Sequence, residues 1–222
     1  MIDGKTYRQT RGGWENQNKW IFEGEGEYGM PVIEAVHGTE ADRWIPFNYA
    51  LGHWKPGGGK KIRSGLHFYL DDYQFTRVWN YPDVYLNLLA RFDAVAAPDF
   101  STYLDFPQAI RIYNVFRNRW LAAWWQQNGI RVVPNVEWGT KEDFGWILDG
   151  QPRKSDIIVS SVGALKDRES RKLWVEGFET VLERLEPEKV FLYGRLPEEA
   201  EGGGRIIRIE PFTERFGRER KE

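Results

Sequence analysis

The sequence contains no cysteine among its 222 residues. The absence excludes disulfide bridges, thiolate nucleophiles, zinc ribbons and iron–sulfur clusters, and it is usual in a reducing compartment. Any bound metal would therefore be held by His, Asp, Glu or Asn side chains or by backbone oxygens.

Long apolar runs and an excess of one charge are also missing. No run of about 18 apolar residues occurs, and the polar start MIDGKTYRQTRGG lacks the apolar centre of a signal peptide. We therefore expect a soluble, intracellular protein. Lys and Arg total 31 against 33 for Asp and Glu, a net charge of −2, so the whole molecule does not attract a polyanion such as duplex DNA.

Aromatic residues, in contrast, are plentiful. Eleven Trp, ten Tyr and thirteen Phe make up 15% of the chain, and the hydrophobic total of 41% is enough for a substantial core. We predict a polar lead-in arm over residues 1–29, a single α/β domain over 30–212 and a charged tail over 213–222.

Predicted strands and helices alternate at roughly 30-residue spacing, the length of a strand–helix–strand unit. The predicted strands are 30–36, 66–70, 93–100, 130–138, 155–163, 189–195 and 205–212. Helices are predicted after Pro82, from Pro107 to Gly129, and along the apolar stripe that starts at Trp174. About seven mostly parallel strands favour a small or incomplete (β/α) barrel, with an open parallel α/β sheet as the alternative.

Polar side chains occupy one face of several predicted strands. Leu66, Phe68 and Leu70 alternate with His67, Tyr69 and Asp71, and Asp72 follows directly. Strand 130–138 shows the same pattern, with an apolar face opposite Asn135 and Glu137. The polar residues gather at the carboxyl ends of the strands, which is where barrels and open α/β sheets bind ligands.

Three acids are the catalytic candidates: Asp71, Asp99 and Glu137. Their oxygens suit Mg²⁺ or Mn²⁺, and Zn²⁺ becomes an option if His67 joins them, so a metal-assisted reaction is one hypothesis. The other is a metal-free pair of carboxyls, one protonated and one ionised, as in glycosidases. The substrate-binding candidates are His67, Asp72, Asn135, Ser160, Tyr193 and Arg195.

The glycine-rich segment 55–61 is not a phosphate-binding loop. Such a loop needs Ser or Thr directly after its Lys and a helix to follow, whereas Lys61 follows Lys60 and a strand comes next. We interpret it as a mobile basic loop.

The motifs HFYLDDYQFTRVW, APDFSTYLDFPQAIRIYNVFRNRW, VVPNVEW and VSSVG resemble a family of phage and mobile-element proteins, domain of unknown function 4417. The resemblance spans about residues 30–195. It implies that the protein acts in the cytoplasm of a prokaryotic or phage-infected cell. It does not indicate which reaction, if any, the protein catalyses.

Two functions therefore remain as hypotheses. The first is a hydrolase acting on a phosphate-containing or glycosidic substrate through the acidic site, with a small-molecule or nucleotide-like ligand and Mg or Mn as the cofactor if there is one. The second is a non-catalytic accessory protein that binds nucleic acid or a protein partner. It rests on one helix, whose Arg and Trp side chains are Arg111, Arg117, Arg119, Trp120 and Trp124.

Overall fold

A computed structural model describes residues 22–53, 59–200 and 205–211. Residues 1–21, 54–58, 201–204 and 212–222 lie outside this range, and with them lie most of the predicted lead-in, residues 55–58 of the glycine-rich segment and the whole predicted tail 213–222. Residues 22–29, which we assigned to the lead-in, form the start of a short hairpin, and Phe22 packs edge-on against Trp120.

The described residues contain the following strands and helices. The strands are β1 (Gly24–Glu25), β2 (Met30–Pro31), β3 (Trp44–Pro46), β4 (Ile62–His67), β5 (Phe92–Ala96), β6 (Val132–Val133), β7 (Asp156–Ser160), β8 (Lys189–Tyr193) and β9 (Arg205–Ile209). The α-helices are α1 (Phe47–Ala50), α2 (Arg77–Asn80), α3 (Leu86–Leu89), α4 (Gln108–Gln127) and α5 (Arg168–Leu185).

The parallel α/β architecture is confirmed. β3 to β6 form one parallel sheet in chain order and β7 to β9 form another, while β1 and β2 pair antiparallel. A parallel bridge between Asn135 and Ile158 connects the two parallel sheets. Within the described ranges no ladder joins β9 to β3, so a closed barrel is not shown.

The first parallel strand lies later in the chain than the sequence pattern indicated. Of the predicted strand 30–36 only Met30–Pro31 is a strand, and it is antiparallel; the parallel sheet starts at Trp44, in a stretch where no strand is predicted. β3 has three residues, too few for alternation to be visible, and its pairing with Gly65, Leu66 and His67 defines it.

Three apolar clusters fill the fold. One packs the outer face of the first sheet against α4 and contains Leu66, Phe68 and Val132. A second packs the outer face of the other sheet against α5. The third lies on the inner faces, where Trp44 of β3 meets Phe191 of β8 with ring centroids 5.3 Å apart. The face assignments made from alternation are therefore confirmed for β4 and β6.

The two long helices begin and end as their sequences predict. Pro107 precedes α4, and Gly129 follows it with a φ of 75°, a conformation that glycine adopts without strain. In α5 the predicted stripe is buried at Trp174, Phe178, Val181 and Leu185. No helix in the described part of the chain is both long and apolar enough to span a membrane.

Candidate active site

Three aromatic side chains form one wall of the site, at the carboxyl ends of β4 and β8. Tyr69 stacks on Tyr193 at 4.8 Å between ring centroids, and His67 lies 4.6 Å from Tyr193 and 5.5 Å from Tyr69. The Tyr69 backbone N–H donates to His67 Nδ1, which requires an unprotonated Nδ1. Burial lowers the pKa of His67 to about 3, so the imidazole is neutral at neutral pH.

A chain of hydrogen bonds runs from this wall to the first acid. The Tyr69 hydroxyl donates to Asn135 Oδ1 at 2.8 Å, and Asn135 Nδ2 donates to Asp99 Oδ1 at 2.9 Å. Asn135 is itself held by its backbone carbonyl, which accepts from Gln151 Nε2 at 2.9 Å. The amide of Asn135 thus fixes the orientation of the Asp99 carboxyl.

Asp99 is close enough to Glu137 to influence the ionisation of Glu137. Removal from water raises the pKa of Asp99 to about 6. The hydrogen bond from Asn135 lowers this pKa, and the charge of Asp72 makes a smaller contribution that raises it. The pKa of Glu137 is raised well above its ordinary value, chiefly by burial and second by the charge of Asp99. Glu137 is 9% exposed, and its Oε1 has no hydrogen-bond partner among the described residues.

Two arginines of α4 lie beside Glu137 and favour its ionised form. Arg119 is fully buried and donates to the carbonyls of Ile147 and Asp149 at 2.8 and 3.2 Å. Burial lowers the pKa of Arg119 to about 10, an effect that the charge of Glu137 opposes. Arg117 packs its guanidinium 3.7 Å from the centroid of the Phe100 ring and also interacts with Glu137.

Asp72 connects the loops that follow β4 and β5. Its Oδ1 accepts from the backbone N–H and the hydroxyl of Ser101, at 3.1 and 2.8 Å, and its Oδ2 lies 3.8 Å from Arg117 Nη2. The Asp72 charge raises the pKa of both Asp99 and Glu137. Asp72, predicted as a substrate-binding residue, is therefore the third carboxylate of the acidic cluster, which we define as Asp72, Asp99 and Glu137.

Asp71 lies apart from this cluster. It is exposed, and its carboxylate accepts a long hydrogen bond of 3.4 Å from Gln74. The predicted set of Asp71, Asp99 and Glu137 is thus not brought together, and no three His, Asp or Glu side chains in the described ranges are arranged to hold a metal ion.

The remaining predicted residues surround the same edge of the sheets with different roles. Ser160 Oγ accepts from the Val162 N–H at 3.1 Å and shapes the turn after β7. Arg195 is exposed, and its backbone N–H donates to Ser161 Oγ at 2.9 Å.

The helix residues that prompted the accessory-protein hypothesis are mostly interior. Arg119 and Trp120 are fully buried, and Arg111 is buried in an ion pair with Asp143. Trp120 and Trp124 stack on each other at 5.6 Å. These side chains pack the helix against the sheet, so they do not form an exposed basic and aromatic surface.

Sequence reasoning missed three contributors. Tyr69 stands on the same strand face as His67, so alternation could have identified it. Ser101 and Arg119 had no such signal, because each reaches the cluster from an element whose position depends on the tertiary fold.

The match to known proteins covers both parallel sheets and the acidic cluster. A family model described as Domain of unknown function (DUF4417) matches residues 22–209. The chain belongs to this family. The match extends beyond residues 30–195, where the resemblance was noted, and includes the β1–β2 hairpin and β9 of this DUF4417 chain.

Two curated relatives are phage proteins, both called Gene 1 protein. The one from Mycobacterium phage D29 is 38% identical over 183 residues, and that from Mycobacterium phage L5 is 36% identical over 180. Each alignment covers 80% of this chain, but 64% of the D29 protein and 76% of the L5 protein. No solved structure matches the chain.

Proposed function

We propose that this DUF4417 protein is a phage hydrolase that cleaves a glycosidic bond with Glu137 as general acid and Asp99 as the ionised partner. The observation that carries the proposal is the difference in environment between two neighbouring carboxyls. Glu137 is the more deeply buried, and burial and the charge of Asp99 raise its pKa well above the ordinary value, whereas Asp99, with a pKa of about 6, is mostly ionised at neutral pH. Such a pair can protonate a leaving oxygen and assist attack on the sugar carbon.

Other residues of the site would position this pair. Asn135 holds the Asp99 carboxyl, and Tyr69 holds Asn135. Tyr69 is half-buried at the aromatic wall, where its ring offers an apolar surface to a sugar. The proposal places the protein in the cytoplasm of a phage-infected bacterium, with a small glycoside as substrate.

We also propose that the parallel strands form an incomplete (β/α) barrel. The seven parallel strands β3 to β9 follow one another in chain order, with the Asn135–Ile158 bridge between the two sheets. The inner cluster brings Trp44 of the first of these strands against Phe191 of the sixth. An incomplete (β/α) barrel accounts for both features, and it places the acidic cluster at its carboxyl end.

Paired variants test the catalytic roles on nitrophenyl and alkyl glycosides. We expect Glu137→Gln to lower kcat/KM on alkyl glycosides by about 10²- to 10⁴-fold and much less on nitrophenyl glycosides, whose leaving group departs without a proton. Asp99→Asn should lower kcat/KM on both alkyl and nitrophenyl glycosides. Wild-type activity should fall below about pH 6, as Asp99 becomes protonated.

Asp71→Asn is the matched control, because it makes the same chemical change on an exposed carboxylate one residue from the cluster. It should leave the activity unchanged. Loss of activity with Asp71→Asn, or a requirement for Mn²⁺, would favour the metal-assisted hypothesis. Absence of turnover across glycoside classes, with Asp99→Asn also leaving glycoside binding unchanged, would contradict the proposal.

A further inference from the structure

A second concave region lies at the opposite edge of the sheets. Its volume is about 880 Å³, within the range of small-molecule sites, and it is lined by residues at or near the amino ends of the strands. Lys189 starts β8, and Tyr193 of the aromatic wall ends it. Four residue-to-residue steps along the strand separate these two by roughly 13 Å, so this amino-end cavity is distinct from the acidic cluster.

Four cationic side chains converge on the amino-end cavity from four separate segments: Arg43, Arg63, Arg131 and Lys189. Their convergence depends on the tertiary fold, because they lie before β3, in β4, before β6 and in β8. Three acids, Glu40, Asp42 and Asp93, line the same cavity, which leaves one more positive than negative charge.

These charges do not neutralise one another in pairs. Within the described residues no ion pair joins any of the seven. Lys189 Nζ donates to the Thr39 carbonyl at 2.6 Å, and Arg131 donates to the His37 carbonyl, while in the described part of the chain the Arg63 side chain has no hydrogen bond or ion pair. A cationic group held by neutral carbonyls keeps its charge available to an anion.

A buried hydroxyl also lines the amino-end cavity. Thr39 is 1% exposed, and its Oγ1 has no hydrogen-bond partner among the described residues. A buried polar atom without a partner is costly, and a ligand that bonds to it removes that cost. The wall beside it is apolar and includes Ala41, Phe191 and Ile207.

We propose that the amino-end cavity binds a phosphate-bearing ligand of nucleotide size. The guanidinium groups of Arg43 and Arg63 and the ammonium of Lys189 suit phosphate oxygens. The carboxylates can accept hydrogen bonds from sugar hydroxyl and base amino groups, the Thr39 hydroxyl can donate or accept one, and Ile207, which is exposed, can cover a planar ring. Residues at the amino end of a barrel usually contribute to stability. Charged residues that stabilise a fold form ion pairs, and the described charged residues of this cavity form none with one another.

Calorimetric titration of the full chain with pyrophosphate, ADP and adenosine tests the proposal. We expect ADP to bind more tightly than either pyrophosphate or adenosine, and to bind more weakly at high salt. Arg63→Gln should weaken pyrophosphate and ADP binding about tenfold, because it removes one charge-assisted contact. Asp93→Asn should strengthen pyrophosphate binding severalfold, because it removes a repulsive charge from the same cavity.

Arg77→Gln is the matched control, since it removes an exposed arginine outside the amino-end cavity. It should change the Kd by less than about twofold, and near-ultraviolet circular dichroism of each variant checks the fold. Asp99→Asn should leave ADP binding unchanged, which separates this site from the acidic cluster. The proposal is overturned if ADP and pyrophosphate do not bind at millimolar concentration, if adenosine binds as tightly as ADP, or if Arg63→Gln and Asp93→Asn leave binding unchanged.

Discussion

Burial favours the neutral form of each ionisable group at the centre of the site. The pKa of His67 is lowered to about 3 and that of Asp99 is raised to about 6 by the same physical cause, loss of contact with water, acting on groups of opposite charge type. The pKa of Glu137 is raised as well, again mainly by burial. Between about pH 3 and pH 6 His67 and Asp99 are therefore both neutral.

The Asp99 carboxyl should make the protein less stable as the pH rises. Its folded pKa of about 6 exceeds the value of 3.8 for an unperturbed Asp, so the folded state binds more protons between these values. The stabilisation is fully present below about pH 3.8 and is lost as the pH rises through 6. Asn at this position stays neutral, so Asp99→Asn should raise Tm at pH 8 and change it little at pH 4, as measured by circular dichroism.

Asp71→Asn serves as the control for this pH dependence, because its exposed carboxylate stays in water after folding. The difference in Tm between this variant and the wild type should be small at every pH. An Asp99→Asn effect that was constant from pH 4 to pH 8 would show that the Asp99 carboxyl is not removed from water in solution.

At the scale of elements, α5 approaches the segment after β6 at a glycine. A Cβ placed on Gly177 would lie 2.2 Å from Cδ1 and Nε1 of Trp138. Trp138 in turn packs against Trp174 and Phe178 of the same helix, with centroid distances of 5.4 and 6.4 Å. Gly177 therefore sets how closely α5 lies against the segment that carries Glu137.

Gly177→Ala should destabilise the protein even though Ala is the better helix former. The gain in helix propensity is about 1 kcal/mol, whereas displacement of a packed indole costs roughly 1–3 kcal/mol, and the contact cannot be relieved within the helix. We expect a net loss in the free energy of unfolding, measured with urea. The loss should shrink in a Trp138→Ala background, because the clashing ring is then absent.

The control for the helix is Glu179→Ala, at an exposed position of α5. It should alter the free energy of unfolding by less than about 0.5 kcal/mol. Stabilisation by Gly177→Ala would mean that α5 lies farther from Trp138 than the structure places it.

At the scale of the whole molecule, the inner apolar cluster joins two sheets between which the described residues form one bridge, from Asn135 to Ile158. Trp44 is 4% exposed and packs against Phe191 of the other sheet. Its ring also covers Gly65, where a Cβ would lie 2.4 Å from Trp44 Cδ2. The Trp44 indole thus fills the space between the sheets, and a residue larger than glycine would not fit beside it at position 65.

Trp44→Ala should weaken both sheets together. We expect a loss of about 3–5 kcal/mol in the free energy of unfolding, because a large buried ring leaves a cavity. Hydrogen exchange of backbone amides in β5 and in β8 should accelerate by similar factors, since the shared cluster makes the sheets one cooperative unit. Acceleration confined to β5 would show that the sheets unfold separately, and the milder Trp44→Phe should give a smaller effect of the same pattern.

Secondary structure followed from the sequence where a segment was long or strongly marked. Pro107 and Gly129 define α4, and the apolar stripe from Trp174 to Leu185 defines α5. β3 was not predicted, and β6 is shorter than the predicted strand 130–138, because strands of three and two residues are defined by their partners and not by a pattern of their own.

The sequence by itself determined which side chains share a strand face, because alternation is a local property of extended backbone. His67 and Tyr69 therefore lie opposite Leu66 and Phe68, as predicted. Only the tertiary structure decided that Asp72, and not Asp71, joins the acidic cluster. The two are neighbours in a loop, and the difference depends on Ser101 and Arg117, which reach Asp72 from elsewhere in the chain.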